Sequence, residues 1–289
     1  SYPHLVGPVD GMPVEARYLA NRTLAERAGP RYAACAGDDR DLLYLDPARG
    51  HVAEGLGDLR TAEHVAVVVP GMANDVGGFD DVLEKAEALR DAAARLRPAE
   101  PGLAVVAWLG YDSPTYDVVL DDAARTGGAD LARLLAGLSA GGVAAGATRT
   151  VVGHSYGSVV AGFAARDRAS AGQVDAVVVT GSPGLGGPVP ADPPVYAVTA
   201  PFDLVSASEY FGPDPAGTGT GATALDAGGV VGHAGYFDEG TEALRNIALV
   251  ATGRAGEATR HEPGLVDRVV DRAEELHRRS VGLPLDLLV

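Results

Sequence analysis

Thr150-Val151-Val152-Gly153-His154-Ser155-Tyr156-Gly157-Ser158-Val159-Val160-Ala161 is the stretch on which the reading of this chain turns. A β-branched run enters it and a helix-compatible run leaves it. Between them lies Gly-x-Ser-x-Gly. Glycine fills 39 of the 289 positions, so the five-residue pattern alone arises readily by chance. The flanks decide the matter, because a tight strand-to-helix turn lifts a serine Oγ above a sheet edge. Ser155 is therefore read as a nucleophile. A serine hydroxyl is weak until a base takes its proton. The helix that follows, expected over Ser158 to Arg168, aims its positive end at developing negative charge.

Working outward, Val65 to Val69, Leu103 to Leu109, Asp175 to Thr180 and Val195 to Thr199 are near-continuous apolar runs. Strands of that kind are buried on both faces, the habit of parallel sheets. Helical stretches separate them, Phe79 to Leu96 and Val118 to Leu138. This alternation predicts a doubly wound, mostly parallel α/β sheet. Leu42 to Leu45, the turn Asp46 to Gly50, and His51 to Leu56 predict an N-terminal β-hairpin. Residues 1–40 form an expected helical arm, with a helix over Val14 to Ala28. At the other end, residues 260–289 hold an expected helix over Pro263 to Arg279. Its Leu265, Val266, Val269, Val270, Ala273 and Leu276 share one face that would pack on the sheet. No repeat or linker interrupts the chain, so residues 1–289 are read as a single domain.

Ligands of such sheets bind at the carboxyl ends of the strands. A base and an acid should follow Ser155 there, the acid first and the histidine second. His233, His261 and His277 lie downstream. His233 sits in the Gly-rich loop Val231-Gly232-His233-Ala234-Gly235, the kind of loop that places a functional side chain. Asp203 follows the Val195 to Thr199 strand and is the preferred acid; its alternative reading is the cap of a helix opening at Leu204. Asp175, Asp214 and Asp226 are its rivals. Two backbone N–H groups are expected to form an oxyanion hole: Tyr156, next to the nucleophile, and Met72, in the loop after Val65 to Val69. Trp108, Tyr111, Phe202 and Tyr236 flank the strand ends or the histidine loop and are candidate substrate-binding residues, or ordinary core.

The residues Gly-His-Ser-Tyr-Gly at 153–157, Gly181-Ser182-Pro183-Gly184, Ala200-Pro201-Phe202-Asp203 and His233-Ala234-Gly235-Tyr236 resemble the α/β-hydrolase superfamily. The nearest likeness is to an actinobacterial family of unknown function. The resemblance runs from about Leu5 to Gly253. It implies the α/β-hydrolase fold and a triad of Ser155, Asp203 and His233; it implies no substrate. The chain lacks the His-Gly-Gly-Gly oxyanion motif of many lipases and, beyond its first few dozen residues, the helical region that many members carry upstream. Pro183 to Pro194 leave no room for a large cap domain. Gly212 to Gly232 is the remaining candidate lid, or else a plain connector.

Bulk composition narrows the rest. The formal net charge is −16, from 23 basic and 39 acidic residues. Nucleic acid needs a concentrated basic face, so a nucleic-acid partner is not expected. Cys35 is the single cysteine, which rules out a disulfide within the chain. That fits a cytoplasmic protein, and equally a disulfide-free secreted one. No apolar run has the length of a membrane span. Ser1-Tyr2-Pro3-His4-Leu5 carries neither the basic nor the apolar region of a signal peptide, and it lacks an initial Met, so the sequence is expected to be a piece of a longer one. No metal constellation and no phosphate loop is present, and Gly217 to Gly221 lacks dinucleotide-binding spacing, so no cofactor is expected. The expected activity is hydrolysis of a carboxylic ester of a small acyl substrate, through an acyl-enzyme. An acyltransferase or thioesterase would use the same residues, and a non-catalytic partner protein could keep the fold alone.

Overall fold

The computed structural model of the chain describes residues 3–7, 9, 11–97, 102–115, 121–140 and 146–262. Helices α1 (Pro3–Val6) and α2 (Val14–Ala28) come first, then strands β1 (Leu42–Asp46), β2 (His51–Leu56) and β3 (His64–Val69). There follow α3 (Phe79–Leu96), β4 (Leu103–Leu109), α4 (Asp121–Ala140), β5 (Thr148–His154), α5 (Tyr156–Arg166), β6 (Ala176–Thr180) and β7 (Val195–Val198). The described elements close with α6 (Leu204–Ala207), β8 (Thr223–Leu225) and α7 (Glu242–Ala251).

All eight strands join one sheet in the order β1-β2-β4-β3-β5-β6-β7-β8. β2 runs antiparallel to both its neighbours. Every other neighbouring pair is parallel. This is the expected hairpin followed by a doubly wound parallel sheet. Its strands are apolar because both faces are covered: every residue of β4 and of β6 is buried. On one side α3 lays down Phe79, Val82, Ala86, Leu89 and Ala93, a helical stripe. Asp80 and Asp81 in its first turn complement the positive end of the helix. The arm helix α2 is tied to the hairpin where Asn21 Nδ2 donates to the Leu42 carbonyl at 2.9 Å. Residues 181–194 join β6 to β7 with no helix inserted, in keeping with the expected absence of a large cap.

Three expectations need adjustment. The helix after the Ser155 turn starts at Tyr156, two residues earlier than its apolar pattern suggests. The Gly212 to Gly232 stretch contains β8, which pairs with β7 and extends the sheet, so the whole stretch is not a free lid. Helix α7 goes unanticipated, although Thr241 caps it at Leu244 N and Ala243, Leu244, Ile247 and Ala248 line its buried face. The expected helix over Pro263 to Arg279, with His277, lies outside the described residues, as do residues 118–120 of the expected Val118 helix. Among the described residues no helix is long and apolar enough to cross a membrane.

Candidate active site

β5 lies between β3 and β6, so its carboxyl end reaches the middle of the sheet edge. Ser155 stands there with φ 56° and ψ −130°, a left-handed conformation that a non-glycine residue holds only under restraint. The restraints are visible. Ser155 N–H donates to the Thr180 carbonyl at 2.9 Å, and Ser158 N–H closes the turn onto the Ser155 carbonyl at 2.9 Å. A side chain at Gly157 would collide with the Val69 and Pro70 carbonyls, so only glycine lets α5 come this close to the end of β3. Ser155 is 6% exposed.

The loop after β3 lies against the serine. A methyl group at Gly71 would stand 3.2 Å from Ser155 Oγ. The Gly71 carbonyl is pulled the other way by three donors: Tyr111 OH at 2.8 Å, Asn74 Nδ2 at 3.0 Å and Ser113 Oγ at 3.2 Å. In a trans peptide the N–H points opposite to the C=O. These contacts therefore turn the Met72 N–H away from the Tyr111-Asn74-Ser113 cluster. Tyr156 opens α5, which places its amide at the positive end of that helix.

The acid and the histidine meet. Asp203 follows β7 and is buried. His233 Nδ1 lies 3.0 Å from both Asp203 oxygens. A carboxylate accepts, so Nδ1 carries the proton and Nε2 is left as a base. Asp203 Oδ1 also accepts from Val205 N–H at 3.0 Å and Ser206 N–H at 3.2 Å, and Oδ2 accepts from Tyr236 OH at 2.6 Å. Burial pushes the Asp203 carboxyl up, but the hydrogen bonds from His233 and Tyr236 outweigh it and hold the group well below the usual carboxylate range. The pair sits over the end of β6: a methyl group at Gly181 would lie 2.8 Å from Asp203 Oδ2 and 2.9 Å from His233 Nδ1. Gly181 directly follows Thr180, whose carbonyl holds Ser155. Among the described residues Ser155 Oγ itself has no hydrogen-bond partner.

The rival acids lie elsewhere in the network. Asp175 accepts from Arg149 N–H at the opposite, amino end of β5. Asp226 caps Gly228. Asp214 accepts from Thr199 Oγ1 and Ala216 N–H, and burial pushes its carboxyl up to about 6. His261 is exposed, its N–H on the Ala224 carbonyl of β8.

The four aromatic candidates divide. Trp108 and Tyr111 are buried and stacked, with centroids 6.0 Å apart, and Tyr111 spends its hydroxyl on Pro70 and Gly71. Tyr236 is fully buried, held between the Ala200 N–H and Asp203. Phe202 is 85% exposed beside the acid. A cleft of about 230 Å³ opens next to the Gly71 loop, between Arg31, Arg49, Asn74, Asp75, Tyr111 and Asp112. Of the four aromatics only Tyr111 lines it. Sequence reasoning points to the strand ends that hold His154, Asn74, Ser113 and Gly181 but gives none of the four a role. Two signals were present: His154 adjoins the nucleophile, and Gly181 directly ends a buried strand. Among the described residues no three His, Cys, Asp or Glu side chains converge as a metal site requires.

Comparison with known proteins agrees with this architecture. A family model described as alpha/beta hydrolase matches residues 46–213. An uncharacterized protein of Mycobacterium tuberculosis is 31% identical, over 78% of this chain and 42% of its own length. An uncharacterized protein of Mycobacterium bovis is 37% identical, over 56% of this chain and 64% of its own. The chain thus spans less than two thirds of either relative. Among solved structures, an ester hydrolase from the metagenome of Lake Arreo, complexed with a bipyridine phosphonate derivative, superposes with a TM-score of 0.51. It is 13% identical, over 85% of this chain and 91% of that one, a likeness of fold.

Proposed function

This chain belongs to the α/β-hydrolase family, and within it we propose that it is a serine hydrolase cleaving carboxylic esters through Ser155, His233 and Asp203. The observation that carries the reading is the Asp203–His233 pair, 3.0 Å on both oxygens, standing over the strand end that holds the strained Ser155 turn. In this reading His233 Nε2 takes the Ser155 proton as Oγ attacks the ester carbonyl. The tetrahedral oxyanion forms between the Tyr156 and Met72 N–H groups. The protonated His233 then returns its proton to the leaving alkoxide, and an acyl-Ser155 remains. Water attacks the acyl group with the same histidine as base, releasing the carboxylic acid and free Ser155. Asp203 stays ionised throughout and fixes the Nδ1–H tautomer, which its low pKa supports. The Lake Arreo protein, alike in fold, is named an ester hydrolase, which supports the same reading.

The test is a panel of acetyl to octanoyl esters, with fluorophosphonate labelling of the parent and of Ser155→Ala. The parent is expected to turn over esters and take up one label. Ser155→Ala, equally folded by circular dichroism, is expected to lose label and at least about a thousandfold in kcat. Turnover retained in Ser155→Ala would sink the proposal. A parent that neither labels nor cleaves would favour the non-catalytic use of the fold.

A further inference from the structure

His154 precedes the nucleophile and is the last residue of β5. It is 9% exposed and meets His233 in two ways. Its Nε2 lies 3.0 Å from the His233 backbone carbonyl, and its ring stacks on the His233 ring at 4.8 Å between centroids and 30° between planes. A carbonyl only accepts, so Nε2 carries the proton. Phe237 closes the ring edge-on at 6.3 Å and Tyr236 lies at 6.0 Å. Lys85 of α3, the only lysine of the chain, adds positive charge that disfavours a charged His154.

From this geometry we infer that His154 is a positioning residue, clamping backbone and ring of His233 to the strand that carries Ser155. The inference rests on the ester-hydrolase reading of Ser155, His233 and Asp203. Its logic is mechanical. His233 lies in a loop bounded by Gly232 and Gly235, and Gly232 N–H donates to the Pro201 carbonyl at 2.9 Å, so backbone and acid both tie this loop to the one after β7 and neither ties it to the Ser155 turn. Asp203 fixes only the Nδ1 side of the ring. The remaining freedom, rotation and translation of the whole residue relative to Ser155, is taken up by a neighbour one peptide bond from the nucleophile. Base and nucleophile are thereby both referenced to the end of β5.

The clamp also has to be uncharged. During reaction His233 becomes a cation, and a second cation stacked on it at 4.8 Å would oppose that step. Burial, then the positive charges of Lys85 and His233, push the His154 ring down to about 3. It therefore stays neutral at working pH, with Nε2–H donating and Nδ1 bare, and it presents a ring face to the imidazolium.

The experiment compares His154→Phe, which keeps a stacking ring and removes the donor, with His154→Gln, which restores an N–H at similar reach. Each is assayed beside Ser155→Ala on an ethyl ester and on a nitrophenyl ester of the same acid. A misplaced His233 penalises the ethyl ester more, because ethoxide needs a proton to leave and nitrophenoxide does not. His154→Phe is expected to lose about 10- to 100-fold in kcat/KM on the ethyl ester, less on the nitrophenyl ester, with KM for the ethyl ester within about twofold. His154→Gln is expected to recover most of that loss. Equal loss on both esters, a loss in KM alone, or a glutamine variant no better than phenylalanine would overturn the inference. So would full activity in His154→Phe. Should the Phe variant not fold, nitrogen NMR of the parent decides: a His154 ring that is neutral and Nε2–H from pH 5 to 8 supports the clamp, and one that titrates in that range or carries its proton on Nδ1 removes it. Failure of the ester-hydrolase reading shows separately, as turnover in Ser155→Ala.

Discussion

Gly181→Ala should impair the site without replacing any of its reactive side chains. Gly181 holds φ 56°, and an alanine in the left-handed region costs about 1–2 kcal/mol. The new Cβ would stand 2.8 Å from Asp203 Oδ2, 2.9 Å from His233 Nδ1 and 3.0 Å from His233 Cε1, where ordinary contact begins at 3.4 Å. Something must retreat by about half an ångström. Asp203 is pinned by Val205, Ser206 and Tyr236, so the retreat falls on His233. A 1 Å misplacement of a reacting group costs about a hundredfold, so half that distance should cost about tenfold in kcat. Gly172→Ala is the control: its φ is 68° and a Cβ there meets nothing within 4 Å, so it carries the strain without the collision. Both variants should lose about 1–2 kcal/mol in urea melts, and only Gly181→Ala should lose turnover and fluorophosphonate labelling rate. Turnover within twofold of the parent in Gly181→Ala would refute the claim that this Asp–His pair does the chemistry.

Two further outcomes follow from the network around the acid. Tyr236→Phe removes the 2.6 Å donor from Asp203 Oδ2 and leaves the Ala200 N–H without its acceptor, so it should cost about 1.5–3 kcal/mol in urea unfolding and lower kcat; unchanged stability would mean that the hydrogen bond is not formed in solution. Asp214→Asn should stabilise the protein at pH 8. With the folded carboxyl raised to about 6, the unfolded chain ionises first as pH rises through the window from about 4 to 6, so stability falls there and the loss persists above it. For a partly buried group this amounts to about 1–3 kcal/mol, and asparagine can still accept from Thr199 and Ala216. Thermal melts of both proteins from pH 4 to 8 check it, and parallel curves would contradict it.

The sheet was legible because its strands are continuous apolar runs; Val65 to Val69 and Leu103 to Leu109 admit little else. Ser155 was legible because a local pattern encodes a local turn. β8 was not, because Thr223-Ala224-Leu225 is three residues long in a Gly- and Thr-rich stretch and gains its strand character from pairing with β7. Trp108, Tyr111 and Tyr236 were visible as aromatics near strand ends, but their surroundings were not. Whether an aromatic faces a ligand or spends its hydroxyl on a carbonyl depends on which loops converge, as Pro70 and Gly71 converge on Tyr111. His154 was hidden for the same reason: its partner is 79 positions away.

Asp203 shows why two sequence readings that look exclusive are compatible. The residue can be read as a helix cap or as the acid of a triad. The structure has it accept from two N–H groups of α6 and from His233 at once. A carboxylate has about four lone-pair sites, so the uses do not compete. They reinforce one another. The cap fixes the orientation of Oδ1 against a rigid turn, Tyr236 fixes Oδ2, and the carboxyl plane that results is the one that meets Nδ1 of His233 with both oxygens. Each donor also stabilises the ionised form, which offsets the cost of burying the charge. An acid on a loop without such a cap would have to hold its position against solvent and its own rotamers. Here the short helix that the cap initiates is what makes a buried, ionised and immobile carboxylate available at the end of β7.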